Sequence, residues 1–199
     1  MEKTDILVIL RAADDIIAQA GRSMLAKILK GSRDKKVLEH GLDRCPSYGY
    51  FRNLTLNEIS DRIDWMIEHD FLEIEMSGKL PMIVFTERGW TIERAQHAGE
   101  LLREWDWWLA EGRSEIDPSY LKDRNRGMML LFLNLIRWSG DLRYVPYLRQ
   151  WERIEYKNVQ AAIRQTIRDL ERGIGSEEAE ELKHHEREIE RELRIAPLE

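Results

Sequence analysis

A single cysteine, Cys45, stands in 199 residues. No intramolecular disulfide can form, and neither can a zinc site that needs two or more thiolates. The compartment this usage suggests is the cytoplasm. Long apolar runs are also missing. The longest, Met128 to Leu133 extended past Asn134 to Ile136, falls well short of the roughly 20 residues that cross a bilayer, so no membrane partner is expected. The opening run Ile6-Leu7-Val8-Ile9-Leu10 meets Arg11, Asp14 and Asp15 at once and has neither a basic n-region nor a small-residue cleavage site. It reads as a buried helix and not as a signal peptide. Without export, Asn53-Leu54-Thr55 is no glycosylation site.

Catalytic groupings are equally scarce. There is no G-x-x-x-x-G-K-[ST] phosphate loop, and His184-His185-Glu186 lacks the second-His spacing of a metalloprotease helix. Asp14-Asp15 have no partner that the sequence places, and Cys45 has no evident histidine to activate it. The expectation is a protein that is not an enzyme, with no cofactor and no metal.

What the chain does have is an ordinary apolar share, 43%, and a charge that is unevenly spread. The net charge of -6 appears to disfavour nucleic acid until it is divided by segment. Gly21 to Arg52 carries eight basic residues against three acidic, +5; Asn53 to Ser77 carries seven acids against Arg62, -6; Ser176 to Glu199 carries nine acids against four bases, -5.

The first of these segments lies among helices. Thr4 is placed to cap a helix running to about Ala20, with Gly21 as its punctuation. A second helix over Arg22 to Lys30 gathers Met24, Leu25, Ile28 and Leu29 on one face, and Gly31 suits the left-handed position that closes it. Ser32 is placed to cap a short basic helix through Arg33, Lys35 and Lys36. After the aromatic turn Cys45 to Phe51, Thr55-Leu56-Asn57-Glu58 matches a capping box and opens a fourth helix with Ile59, Ile63, Met66 and Ile67 inward. The pattern then switches to period two: Leu72, Ile74 and Met76 alternate with Glu73 and Glu75, a half-buried strand. Ser77-Gly78-Lys79 turns it into a return strand from Leu80 to Phe85, with Pro81 marking an edge.

Beyond Trp90 the periodicity is helical. One long helix carries Leu101, Leu102, Trp105, Trp108 and Leu109, with Trp107 off the stripe as a candidate partner surface. A helix starts at Asp117-Pro118 and runs through Met128 to Gly140, another opens at Asp141, and a further one spans about Asn158 to Leu170, packing as antiparallel pairs. The tail from Ser176 offers Ala179, Leu182, Ile189 and Leu193 as its apolar stripe, read as a solvated helix, with docking or pairing with a second copy as alternatives.

Gly21 to Ser32, Gly-Arg-Ser-Met-Leu-Ala-Lys-Ile-Leu-Lys-Gly-Ser, resembles the "G-x-x-x-L-x-x-V-L-R-G-S" opening of RQC domains, the DNA-binding winged helix of RecQ helicases. Tyr48-Gly49, then Arg52 and Thr55, then Ile63 to Ile67 before His69-Asp70-Phe71-Leu72 resemble the order that follows in that family, and Phe85-Thr86-Glu87-Arg88-Gly89 resembles its closing "L-T-x-x-G". The resemblance covers roughly residues 5 to 92. A second one covers about one HEAT-like repeat: Leu135 to Leu148 looks like "L-x-x-x-G-D-x-R-x-V-P-x-L". Together they imply a mainly α protein: a winged-helix domain over 1–92, a helical HEAT-like domain over 93–174, and a charged helix or tail over 175–199.

The RQC resemblance implies phosphate contacts from Lys30, Ser32, Arg33, Lys35 and Lys36, with Arg52 in the family's lysine position. Arg22, Lys27, Thr55 and Lys79 extend this DNA-binding set by charge and position, and Tyr50 by its ring, which can stack on a terminal base pair. The wing lacks the aromatic tip that some relatives use to part base pairs. The function implied is DNA binding at duplex ends, forks or structured DNA in repair or genome maintenance, the partners being DNA and a separate helicase or repair protein. A protein adaptor using the acidic fourth helix, and a dimeric transcription regulator reading pseudo-palindromic half-sites, are the alternatives.

Overall fold

The structure is a computed structural model that describes residues 1–122, 124–173 and 179–193. The chain divides into two compact units, Met1–Glu93 and Arg94–Glu199.

In the first unit, α1 (Lys3–Asp14) buries Ile6, Ile9 and Leu10, and α2 (Arg22–Lys30) buries Leu25, Ile28 and Leu29. A short α3 (Lys35–Glu39) and a 3-10 turn at Leu42–Arg44 follow, then α4 (Leu56–Glu68), which packs Ile59, Ile63 and Met66 against α2. β1 (Leu72–Ser77) pairs antiparallel with β2 (Leu80–Phe85), with Leu72 opposite Phe85 and Ser77 opposite Leu80. Gly78, at a φ of 63°, makes the two-residue turn between them. The unit ends within α5 (Glu87–Ala110). Helices closed by one hairpin constitute a winged helix.

Four expectations need correction here. α1 begins at Lys3 without a side-chain cap and stops at Asp14, not near Ala20. The residues beyond are held by β2 instead: Ala18 N donates to Ile83 O (2.9 Å) and Ile83 N to Ala20 O (3.0 Å), with Ala18 at a φ of 54°. Asp34, not Ser32, caps α3, accepting from Lys36 N at 2.9 Å, while Ser32 Oγ accepts from Asp34 N at 3.2 Å. A carboxylate is the stronger acceptor for the exposed amides of a helix start. β1 is not half-buried along its length: Leu72 is covered, but Ile74 and Met76 are 48% and 59% exposed, because with two strands only the base of the hairpin reaches the helices.

The fourth correction falls in the second unit. Asp117-Pro118 opens only a 3-10 turn, Pro118–Leu121, and α6 (Arg126–Ser139) starts afresh where Asn125 accepts from Gly127 N (2.8 Å) and Met128 N (3.3 Å). After Gly140 (φ 65°), Asp141 caps a 3-10 turn leading into α7 (Val145–Glu152), and α8 (Lys157–Glu171) returns against α6 and α7. The core is aromatic. Trp105 is fully buried, its ring 4.9 Å from Phe132, 5.5 Å from Tyr147 and 6.1 Å from Trp151 between centroids. α9 (Ala179–Glu192) lies against α6, with the His185 ring 6.3 Å from that of Trp138 and Leu193 buried. The rest of the expected tail, 174–178 and 194–199, lies outside the described residues, and so does the Leu182 side chain.

Candidate nucleic-acid interface

α2 ends at Gly31, whose φ of 74° and ψ of 40° give the left-handed close that glycine makes without penalty. A second reason for glycine is proximity: a Cβ on Gly31 would lie 2.9 Å from the Cα of Gly49. Gly49 N donates to Ile28 O and Phe51 N to Leu29 O, each at 2.9 Å, and the Tyr48 hydroxyl donates to Ser32 O at 3.0 Å. The Gly-Ser turn and the Tyr48 to Arg52 loop are thereby locked into one surface. Arg52 folds its Nε onto Gly49 O at 3.1 Å, and Tyr50 stands exposed edge-on to Phe51.

Among the cations expected to meet phosphate, three have internal partners. Arg22 is paired with Asp64. Lys27 Nζ lies 2.7 Å from Asp34 Oδ2, an ion pair that is the main cause holding the Asp34 carboxyl below its ordinary range. Lys30 Nζ donates to Arg52 O and Leu54 O, both at 2.6 Å, which fixes the loop entering α4. Arg33 and Lys36 are exposed and make no side-chain ion pair or hydrogen bond among the described residues, and Lys35 reaches only Glu39, at 3.5 Å with both ends solvated. Lys79 is exposed at the wing's turn, with nothing that joins it to the others. Arg44 belongs with the exposed set, in the 3-10 turn after α3; its charge was visible in the sequence, but its placement needs the fold.

Thr55 is committed to the helix cap. Its hydroxyl accepts from Glu58 N at 3.2 Å and donates to Glu58 Oε2 at 2.8 Å, while Thr55 N donates to the same oxygen at 2.7 Å. Those bonds hold the Glu58 carboxyl below its usual range and place an anion at the start of α4, where a phosphate would otherwise be attracted. With Asp61, Asp64 and Glu68, the helix preceding the wing is acidic. A groove of about 710 Å³ separates Arg22, Lys27 and Lys36 from Ile74, Leu80 and Met82 of the hairpin.

Cys45 offers no nucleophile. It is buried, and burial together with the nearby Asp15 carboxylate pushes its thiol up to about 12. At pH 8 the native chain should react with a thiol reagent roughly a hundredfold or more slowly than the urea-unfolded chain. Prompt stoichiometric labelling of the native protein would contradict this.

No helix among the described residues is long and apolar enough to cross a membrane. The first unit is a winged helix with an exposed basic surface around a Gly-Ser turn. The RQC domain profile matches residues 3–103, half of the chain, and the chain belongs to that family. It is also 36% identical over 69 residues, 35% of its length, to the ATP-dependent DNA helicase RecQ of Bacillus subtilis (strain 168), and spans 12% of that relative. No solved structure matches.

Proposed function

We propose that this chain binds DNA through the phosphate backbone, using the surface that joins the Gly-Ser turn, α3 and the Tyr48 to Arg52 loop. The carrying observation is the backbone approach of Gly31 to Gly49, which holds Ser32, Arg33 and Arg52 near one another on a rigid support. Arg33, Lys35, Lys36 and Arg52 are the contacting cations; Arg22, Lys27 and Lys30 hold the surface in shape. Tyr50 is exposed for stacking on a terminal base pair, and Lys79 makes a separate contact from the wing. The acidic α4 repels phosphate, so insertion of that helix into a major groove is disfavoured and ends, forks or structured DNA are the fitting substrates.

The relative's name describes a helicase; in this chain the winged helix acts as a binding module, with the helical unit as a second domain. A role in repair or genome maintenance beside a separate motor protein follows from that reading.

Fluorescence anisotropy with blunt duplex and forked oligonucleotides at two salt concentrations tests it. About six phosphate contacts would weaken binding roughly a thousandfold between about 50 and 200 mM salt. The Lys35→Glu, Lys36→Glu variant should lose about tenfold or more at low salt and lower the salt slope by about two. Absence of any duplex binding at low salt would overturn the reading and favour a protein partner on the exposed acidic face of α4, where Leu56 is also exposed.

A further inference from the structure

We propose that the Arg94–Glu199 unit carries a second nucleic-acid contact, a stacking site for bases of a single strand, centred on Trp107. Trp105 is fully buried, but Trp107, two residues further along α5, is 53% exposed. The Arg113 guanidinium lies 4.9 Å from the centre of the Trp107 ring and 5.6 Å from that of Trp108. Its position is set by the backbone, because the Tyr147 hydroxyl donates to Arg113 O at 2.7 Å. Arg103, one helical turn before Trp107, is also exposed.

The acids of the same stretch are largely occupied. Glu104 accepts from the Tyr120 hydroxyl at 3.0 Å, and Asp106 from the Tyr144 hydroxyl. Burial and the Asp106 hydrogen bond both push Tyr144 up, so it keeps its proton. Glu111, a turn after Trp107, is the carboxylate left near the ring. An exposed indole between two arginines therefore has a solvated ring face with cations on both sides.

Next to it runs a groove of about 510 Å³ lined by Ser114, Glu115, Arg149, Gln150 and Arg153. Its wall is fixed: the Gln150 side chain donates to Ser114 O at 3.0 Å and accepts from Ile116 N at 2.9 Å. Arg149 pairs with Glu171 at 3.0 Å, whereas Arg153 is exposed without an ion pair among the described residues.

A ring platform beside arginines is what binds single strands without sequence preference, each base stacking and each phosphate finding a cation. An apolar protein partner would need apolar neighbours around Trp107, and the arginines do not supply them. A duplex exposes ring faces only at its ends, whereas a single strand offers one at every base.

The test is anisotropy of the full chain with a labelled short oligothymidylate and, separately, with blunt duplex. Trp107→Ala should weaken oligothymidylate binding about tenfold or more and Trp107→Phe should retain most of it, since stacking needs a ring. Duplex binding should stay within about twofold in both variants. Oligothymidylate binding that is absent in the wild type, or equal in Trp107→Ala and wild type, would overturn the proposal. The Lys35→Glu, Lys36→Glu variant gives the opposite signature, losing duplex affinity, so failure of one site is distinguishable from failure of the other.

Discussion

Replacing Trp105 by Ala should destabilise the Arg94–Glu199 unit by about 3–5 kcal/mol, the range for truncating a large buried aromatic side chain. The indole is fully buried and meets Phe132, Tyr147 and Trp151 at ring separations of 4.9, 5.5 and 6.1 Å, two of these contacts edge-on at 81° and 89°. Helix α5, the α6 side chain Phe132 and the α7 side chains Tyr147 and Trp151 converge on this one residue. The indole N–H also donates to the Tyr120 hydroxyl at 3.0 Å, so truncation removes a donor from a phenol that burial already pushes up and that Glu104 holds on its other side. Against a typical domain stability of about 5–15 kcal/mol, such a loss is a large part of the whole. Urea unfolding followed by near-ultraviolet circular dichroism measures it. Trp107→Ala, two positions away on the same helix but on its wet face, should change stability by no more than about 0.5 kcal/mol. Equal effects for the two substitutions would mean that Trp105 is not the centre of this core.

That contrast shows what the sequence could reveal. Helical spacing put Trp105 inside and Trp107 off the stripe, because apolar periodicity is a direct record of which helix face is covered. Gly31, the Thr55 and Glu58 box and the Gly78 turn were also legible, since each is a local demand of backbone geometry. The end of α1 was not. Hydrogen bonds from Ala18 and Ala20 to Ile83 terminate it, and their partner lies more than sixty residues away in sequence. Local rivalry misled too: Ser32 and Asp34 are both good caps, and the carboxylate took the position. At the candidate interface, charge could be counted but not its pairing. Arg22, Lys27 and Lys30 looked like Arg33 and Lys36 until Asp64, Asp34 and the carbonyls of Arg52 and Leu54 were placed beside them.

Gly89→Ala should cost the winged helix about 3 kcal/mol or more, although intrinsic helix preference pulls the other way. Ala is favoured over Gly inside a helix by about 1 kcal/mol, and Gly89 lies in the first turns of α5. The opposing effect is steric. A Cβ at Gly89 would sit 1.9 Å from Phe71 O and 2.9 Å from Phe71 C, atoms of the backbone that no rotamer change can move aside. Thr86 fixes this close approach, donating its hydroxyl to Asp70 O at 2.6 Å while its Oγ accepts from Gly89 N at 3.1 Å. The Thr86-Glu87-Arg88-Gly89 motif thus clamps the start of α5 onto the segment entering β1, with Arg88 stacked 4.0 Å over the buried Phe71 ring. Relieving the clash requires the helix to withdraw from that segment, so the penalty belongs at or above the upper end of the about 1–3 kcal/mol usual for overpacking. Gly99→Ala is the control on the same helix. Its Cβ would meet only the end of the Arg103 side chain, at 3.4 Å, so it should stabilise by about 0.5–1 kcal/mol. Urea midpoints that fall for Gly89→Ala and rise for Gly99→Ala would establish the clamp, and a midpoint for Gly89→Ala at or above that of the wild type would refute it.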